Sequence, residues 1–276
     1  MIFPSLDRVK AIAPGYDIVP VYMEILSDVR TPISVLKALK QVSSHTYLLE
    51  SADNSNHWGR YSFLGYDPKI ELFCKNHKMT IKDGTTRTFE CSDPAAEIRN
   101  ILSQYKSPRL EELPTFTGGF VGYFACEYIR YIEPTLDFPT PDNDSAMVND
   151  VDLMLFDKVI AFDHYKNKIY LIANISTDDL ERNYNKAELE LKALADLVVN
   201  GKEADIPKGI LKTEFTSEFT KDEFEAVVKK TQHYIKEGDI FQCVVSNRRE
   251  AEFDGSLLNA YRVLPVSYTH LTLPTN

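Results

Sequence analysis

The sequence has no apolar run long enough to cross a membrane. The greasiest stretch, 152–162, is broken by Asp157 and Lys158, whereas a span needs about twenty apolar residues. The opening MIFPSLDRVK lacks the charged start and apolar core of a signal peptide, so a cytoplasmic protein is expected. It has four cysteines, Cys74, Cys91, Cys126 and Cys243, with no Cys-x-x-Cys pair and no histidine at ligand spacing. That argues against a disulfide scaffold or a thiolate zinc site and predicts reduced, mostly buried thiols. Nor is there a basic stripe. With 31 Lys and Arg against 41 Asp and Glu, the formal charge is -10, the wrong sign for a surface that must neutralise phosphates. No nucleic-acid or membrane partner is therefore expected.

What is present is ordinary globular chemistry. Apolar residues make up 43% of the 276 and charged ones 26%, enough for a sizeable core. Thr31 and Pro32 open a helix over 31–42. The runs 46–51, 60–68, 69–75 and 77–90 mix β-branched and aromatic residues and read as strands, with a hairpin at Lys82-Asp83-Gly84. Asp93 and Pro94 begin another helix, with Ile98, Ile101 and Leu102 facing inward. A helix is expected over 120–132. LMLFDKVIAFDH and KIYLIANIS then flank the turn Tyr165-Lys166-Asn167 as one long apolar hairpin. Thr177 is expected to cap a helix to Asn200 whose stripe is Leu180, Tyr184, Ala187, Leu191, Leu194 and Val198.

Residues 201–219 are polar and unpatterned, a linker that ends an N-terminal domain over 18–200. Thr220 to Glu223 is a capping box for a helix over 221–237, with Phe224, Val227, Val228 and Ile235 inward and Gly238 closing it. The strand IFQCVVSNRRE follows, with Gln242, Ser246 and Arg248 on one face among aliphatics; it floors a polar site or lies at a wet edge. Ser256 caps a last helix that halts at Pro265. Residues 265–276 contain no charge and resemble the translation of a library adapter, so they are read as a non-native tail. That leaves 220–264 too short to bury a core of its own, the start of a truncated domain. The predicted fold class is α+β: two-layer, mixed, mainly antiparallel sheets with outer helices.

Three motifs invite a functional reading. Gly118-Gly119-x-x-Gly122 either cradles a phosphate or lets strand and helix pack closely. The six histidines, at 45, 57, 77, 164, 233 and 270, show no metal spacing. Glu50 and Ser51 close a hydrophobic strand, with Arg60 after a short polar loop. A carboxylate, a hydroxyl and a guanidinium near one strand end suit a zwitterionic amino acid, Glu50 for its ammonium, Ser51 and Arg60 for its carboxylate. A surface ion pair explains the same residues equally well.

LLES at 48–51, WGRYSFLGYDP at 58–68, GGFVGYFACEYIRYIE at 118–133, LMLFDKVIAFDH at 153–164 and EGDIFQCVVSNR at 237–248 occur together in one order. In these blocks the sequence resembles component I of anthranilate synthase, of the chorismate-utilising superfamily. The resemblance implies conversion of chorismate and ammonia to anthranilate and pyruvate with Mg2+, the ammonia coming from a glutamine amidotransferase subunit. It implies feedback inhibition by L-tryptophan at an N-terminal site, where Glu50 and Ser51 match the family motif and Arg60 is a looser addition. Gln242 matches the position where water-adding relatives carry a lysine base. An amide cannot activate water, which suits an enzyme whose nucleophile is ammonia. A full component is about twice as long; the metal ligands and catalytic histidine belong to the half not matched here, so this polypeptide is expected to lack synthase activity. Aminodeoxychorismate synthase component I is the rival enzyme, and a stand-alone amino-acid-binding module the rival of another class.

Overall fold

The computed structural model describes residues 1–50, 59–133, 135 and 148–267. The chain divides into two compact units, Met1–Ala204 and Asp205–Asn276. In the first, α1 (Leu6–Ile12), β1 (Ile18–Leu26), α2 (Pro32–Leu39) and β2 (Thr46–Leu49) lead into β3 (Tyr61–Tyr66), β4 (Ile70–Lys75), β5 (Lys78–Lys82) and β6 (Thr86–Glu90). Then come α3 (Pro94–Leu102), β7 (Gly119–Phe124), α4 (Ile129–Ile132), β8 (Val151–Phe156), β9 (Lys158–Asp163), β10 (Lys168–Ser176) and α5 (Leu180–Asn200). The strands form two five-stranded sheets, β1-β10-β9-β3-β2 and β6-β5-β4-β8-β7, and every pairing in them is antiparallel. The α+β class with antiparallel sheets and outer helices is borne out.

The two sheets are joined by a pair of neighbouring crossings. β3 and β9 pair in one sheet, while their continuations β4 and β8 pair in the other. LMLFDKVIAFDH is therefore not one arm of a hairpin: it breaks at Asp157, giving its first half to one sheet and its second to the other. Asp67, at φ 53, turns the chain beside it, and the Lys69 amide donates to the Leu155 carbonyl at 2.7 Å, carrying the ladder into the crossing. The hairpin that does form is β9–β10 around residues 164–167, with Asn167 at φ 53. Alternation along the strands decides the faces. On the first sheet, Tyr22, Val159, Ala161, Tyr170 and Ile172 share one cluster with Leu110 and Leu113. The opposite face of that sheet packs under α5 and α2, where Val198, Leu194, Leu191, Ala187 and Tyr184 are buried. On the second sheet, Ile70, Leu72, Cys74, Met79, Ile81, Val151, Leu153 and Leu155 meet Ile98 and Ile101 of α3. The other face of that sheet is wetter, as expected of an antiparallel sheet covered on one side.

Several expectations shift. The stretch 120–132 is mostly not helix: β7 runs to Phe124, followed by a single 3-10 turn and the short α4. Pairing with β8 outweighs helical propensity there. Leu102 is 41% exposed because it sits on the last turn of α3, off the buried stripe. The Thr177 hydroxyl donates to the Tyr16 carbonyl at 2.9 Å instead of capping α5, which starts after Asp179. Of the thiols, Cys74 and Cys91 are buried but Cys126 and Cys243 are exposed; all four are free.

The second unit carries β11 (Ile210–Leu211), β12 (Thr216–Ser217), α6 (Lys221–Glu237), β13 (Arg249–Glu250), β14 (Phe253–Asp254) and α7 (Leu258–Ser267). The capping box is as read: the Thr220 hydroxyl accepts the Glu223 amide, the Glu223 carboxylate accepts the Thr220 amide at 2.8 Å, and Gly238 closes the helix at φ 84. Residues 240–248 form no strand, and Ile235 is exposed. A strand needs partners for its amides and carbonyls, and the ladders described in this unit are two residues long. α7 continues through Pro265 to Ser267, so the expected halt at the proline does not occur.

Candidate functional site

Residues from separate parts of the sequence meet at one end of the first sheet. β2 runs antiparallel to β3 with Leu49 opposite Phe63, so Glu50, just past β2, and Arg60, just before β3, lie at the same sheet end. Tyr61 pairs with Asp163, which brings the close of β9 to that end as well. Glu50 is exposed. Ser51 falls in 51–58 and lies outside the described residues.

Arg60 has a defined partner. Its Nε donates to Asp163 Oδ1 at 3.1 Å and its Nη2 to Oδ2 at 2.7 Å, a two-point grip on a wholly buried carboxylate. Oδ1 also accepts the amides of Tyr165 at 3.1 Å and Lys166 at 3.0 Å, so one side chain both closes the β9–β10 turn and holds Arg60. The guanidinium lies 4.8 Å from the Tyr61 ring centroid and 5.6 Å from that of Tyr165, which fixes its plane between two aromatics. Burial alone would raise the Asp163 carboxyl, but the hydrogen bonds from Arg60 and from the Lys166 and Tyr165 amides hold it below the usual carboxylate range. The same bond to Asp163 pushes the Arg60 guanidinium up further. Beside them the Ser62 hydroxyl and His164 Nε2 are 2.8 Å apart. The grip occupies Nε and one terminal nitrogen; the opposite edge of the guanidinium is the one a ligand carboxylate would use.

Asp163, Ser62 and His164 were not singled out from the sequence. The available signal was Asp163 itself, a charge closing the apolar strand VIAFD just before a turn, where Asp often accepts backbone amides. Gln242 belongs to the second unit, exposed in the irregular stretch 240–248; Phe241 and Val244 beside it are 93% and 85% exposed. The glycine motif has a packing explanation. A Cβ on Gly122 would collide with the Asp152 backbone carbonyl of the paired strand, and one on Gly118 would press on the Asn174 amide and the Phe156 carbonyl. Close approach of strands, not of strand and helix, requires these glycines, since β7 begins at Gly119 and includes Gly122. Among the described residues no group of three or more His, Cys, Asp or Glu side chains could hold a metal ion, so they do not fit a Mg2+ site. Among them, too, no helix is long and apolar enough to cross a membrane.

Comparison with known proteins gives this geometry a lineage. A family model described as chorismate binding enzyme matches residues 45–270. Anthranilate synthase component 1 of Acetivibrio thermocellus is 34% identical over 276 aligned positions, covering 96% of this chain and 55% of that protein. The component of the same name from Acinetobacter calcoaceticus is 36% identical over 255, covering 91% and 50%. The crystal structure of anthranilate synthase component I from Streptococcus pneumoniae TIGR4 superposes with a TM-score of 0.56 at 26% identity, covering 90% of this chain and 53% of that one. The chain thus spans about half the length of the curated relatives it matches. The blocks from LLES to EGDIFQCVVSNR carried a true likeness, and on a family match across most of its length the chain belongs to the chorismate binding enzymes.

Proposed function

We propose that this chain carries the tryptophan-responsive unit, and the opening of the chorismate-binding unit, of an anthranilate synthase component I. In the complete component, chorismate and ammonia give anthranilate and pyruvate, with ammonia supplied by a glutamine amidotransferase subunit and Mg2+ as cofactor. Component I relatives that match nearly the whole chain support this reading over aminodeoxychorismate synthase component I. The regulatory part rests on one observation: Glu50 and Arg60 share a sheet end. There Glu50 takes the ammonium of L-tryptophan, and Ser51 with the outer edge of Arg60 takes its carboxylate. Asp163 holds Arg60 in register, so the ligand meets a guanidinium already oriented, which lowers the ordering cost of binding. Gln242 contributes an uncharged wall that leaves the nucleophile's role to ammonia.

Titration calorimetry of the chain with L-tryptophan tests the regulatory part. Saturable binding is expected, weakened at least about tenfold, or ~1.4 kcal/mol, by Glu50→Ala and left unchanged by Gln242→Ala. Tryptamine and indole-3-propionate, each lacking one charged group, should both bind more weakly. Equal affinity for all three ligands would remove the zwitterion site.

A further inference from the structure

Where the chain crosses between the sheets, an open cleft of about 100 Å³ remains, at the opposite end of β9 from Arg60 and Asp163. Ile18, Leu102 and Tyr105 give it apolar walls; Asp157, Asn174 and the Thr117–Gly119 segment give it a polar floor. The Asn174 amide nitrogen donates to the carbonyls of Thr117 at 2.7 Å and Asp157 at 3.0 Å, tying the glycine segment to the crossing. Its backbone amide donates to the Asp157 carbonyl at 2.9 Å, so the ladder between β9 and β10 extends to Asp157. Alternation from Val159 then puts Asp157 on the face of the sheet that carries Tyr22 and Ile172, the face that Ile18 and Asn174 share.

The charge at this floor is unbalanced locally. Burial raises the Asp157 carboxyl, with Lys158 and Lys69 only partly opposing it from a distance. Lys158 Nζ instead lies 3.9 Å from Asp67 Oδ2 and over the Tyr66 ring, while Lys69 Nζ lies over the Tyr105 ring. Among the described residues Asp157 has no ion-pair partner within 4.0 Å. A largely buried carboxylate without a cation is costly, and a cationic ligand would relieve that cost, whereas a phosphate would meet repulsion. The double glycine beside it is thus poorly suited to an anion.

We propose that this cleft binds a short primary alkylammonium ion, its ammonium on Asp157 and its alkyl chain against Leu102 and Tyr105. The volume admits about half a dozen heavy atoms, which selects small amines over amino acids with large side chains. The site is independent of the tryptophan reading.

The test is an amide-resolved NMR titration of the isotope-labelled chain with n-butylamine and with n-butanol at neutral pH. Butylamine should shift the Gly118, Gly119 and Asn174 amides saturably and at least about tenfold more tightly than butanol. Asp157→Asn should erase that preference, and Leu102→Trp, which fills the cleft from its exposed side, should weaken butylamine with Asp157 intact. Equal affinities for amine and alcohol, no saturable shift at those amides, or an amine preference that survives Asp157→Asn would overturn the proposal. Should Asp157→Asn fail to fold, unweakened butylamine binding to Leu102→Trp overturns it by itself.

Discussion

Residues 1–204 and 205–267 form secondary structure on different terms. In the first unit, strands and helices close on shared cores, with Val19, Leu39, Leu72, Val159 and Leu171 at zero exposure. In the second, no described residue is buried, and the apolar residues of α6 are only partly covered. Yet α6 forms with its capping box, while the more apolar 240–248 stays irregular. The contrast separates two requirements. A helix satisfies its amides within its own chain and needs only its ends completed, whereas a strand must borrow every hydrogen bond from a neighbour. Local signals therefore suffice for α6 and fail for IFQCVVSNR.

The contrast is open to measurement. If the first unit depends on long-range closure, removing its most buried charge should have the largest effect. Asp163→Ala leaves Arg60 without its carboxylate and frees the amides of Tyr165 and Lys166, so a loss of about 3–5 kcal/mol is expected in urea unfolding. The pH dependence has a definite sign. The Asp163 carboxyl is depressed in the fold, so its stabilisation is complete above the unfolded carboxylate pKa, about 3.9, and disappears as pH falls through the lower folded value. The stability gap between wild type and variant should be flat from pH 5 to 8 and narrow below about pH 4. A gap unchanged in acid would mean that the pair's charge contributes nothing.

A smaller effect sharpens the other half of the comparison. Thr220→Ala removes the cap of α6 and should cost that helix about 1 kcal/mol, read as reduced helical circular dichroism. The urea transition of the first unit should not move; a shift there would show that the units share stability. The smallest effect is expected from Val244→Ser in the irregular stretch. With the side chain 85% exposed, stability should change by no more than about 0.5 kcal/mol. A larger loss would reveal contacts for 240–248 in solution that make the comparison less sharp.

Much of the chain was legible where its cues are local. Asp93, Thr31 and Thr220 cap as their positions imply, and Gly84 and Gly238 take the positive φ that their turns require. The stripe of α5 was read from its spacing, and five of its six positions are buried. The errors fall where a non-local partner decides. VGYF pairs with β8 and becomes a strand although its flanks favour a helix. LMLFDKVIAFDH reads as one apolar run, but its break at Asp157 is set by which sheet each half joins. At the candidate site, Glu50 and Arg60 stood out as unlike neighbours of a greasy strand. That Arg60 is gripped by Asp163, more than a hundred residues later, depends on β3 pairing with β9.

By itself, then, the sequence determined the family, the α+β class and the caps of α2, α3 and α6. These follow from side chains acting on their own backbone or from patterns within one element. Only the tertiary structure decided the two sheet crossings, the orientation of Arg60 by Asp163 and the cleft beside Asp157. Each joins backbone or side-chain groups distant in sequence, and such pairs are selected by strand register and burial, which no local window of residues contains.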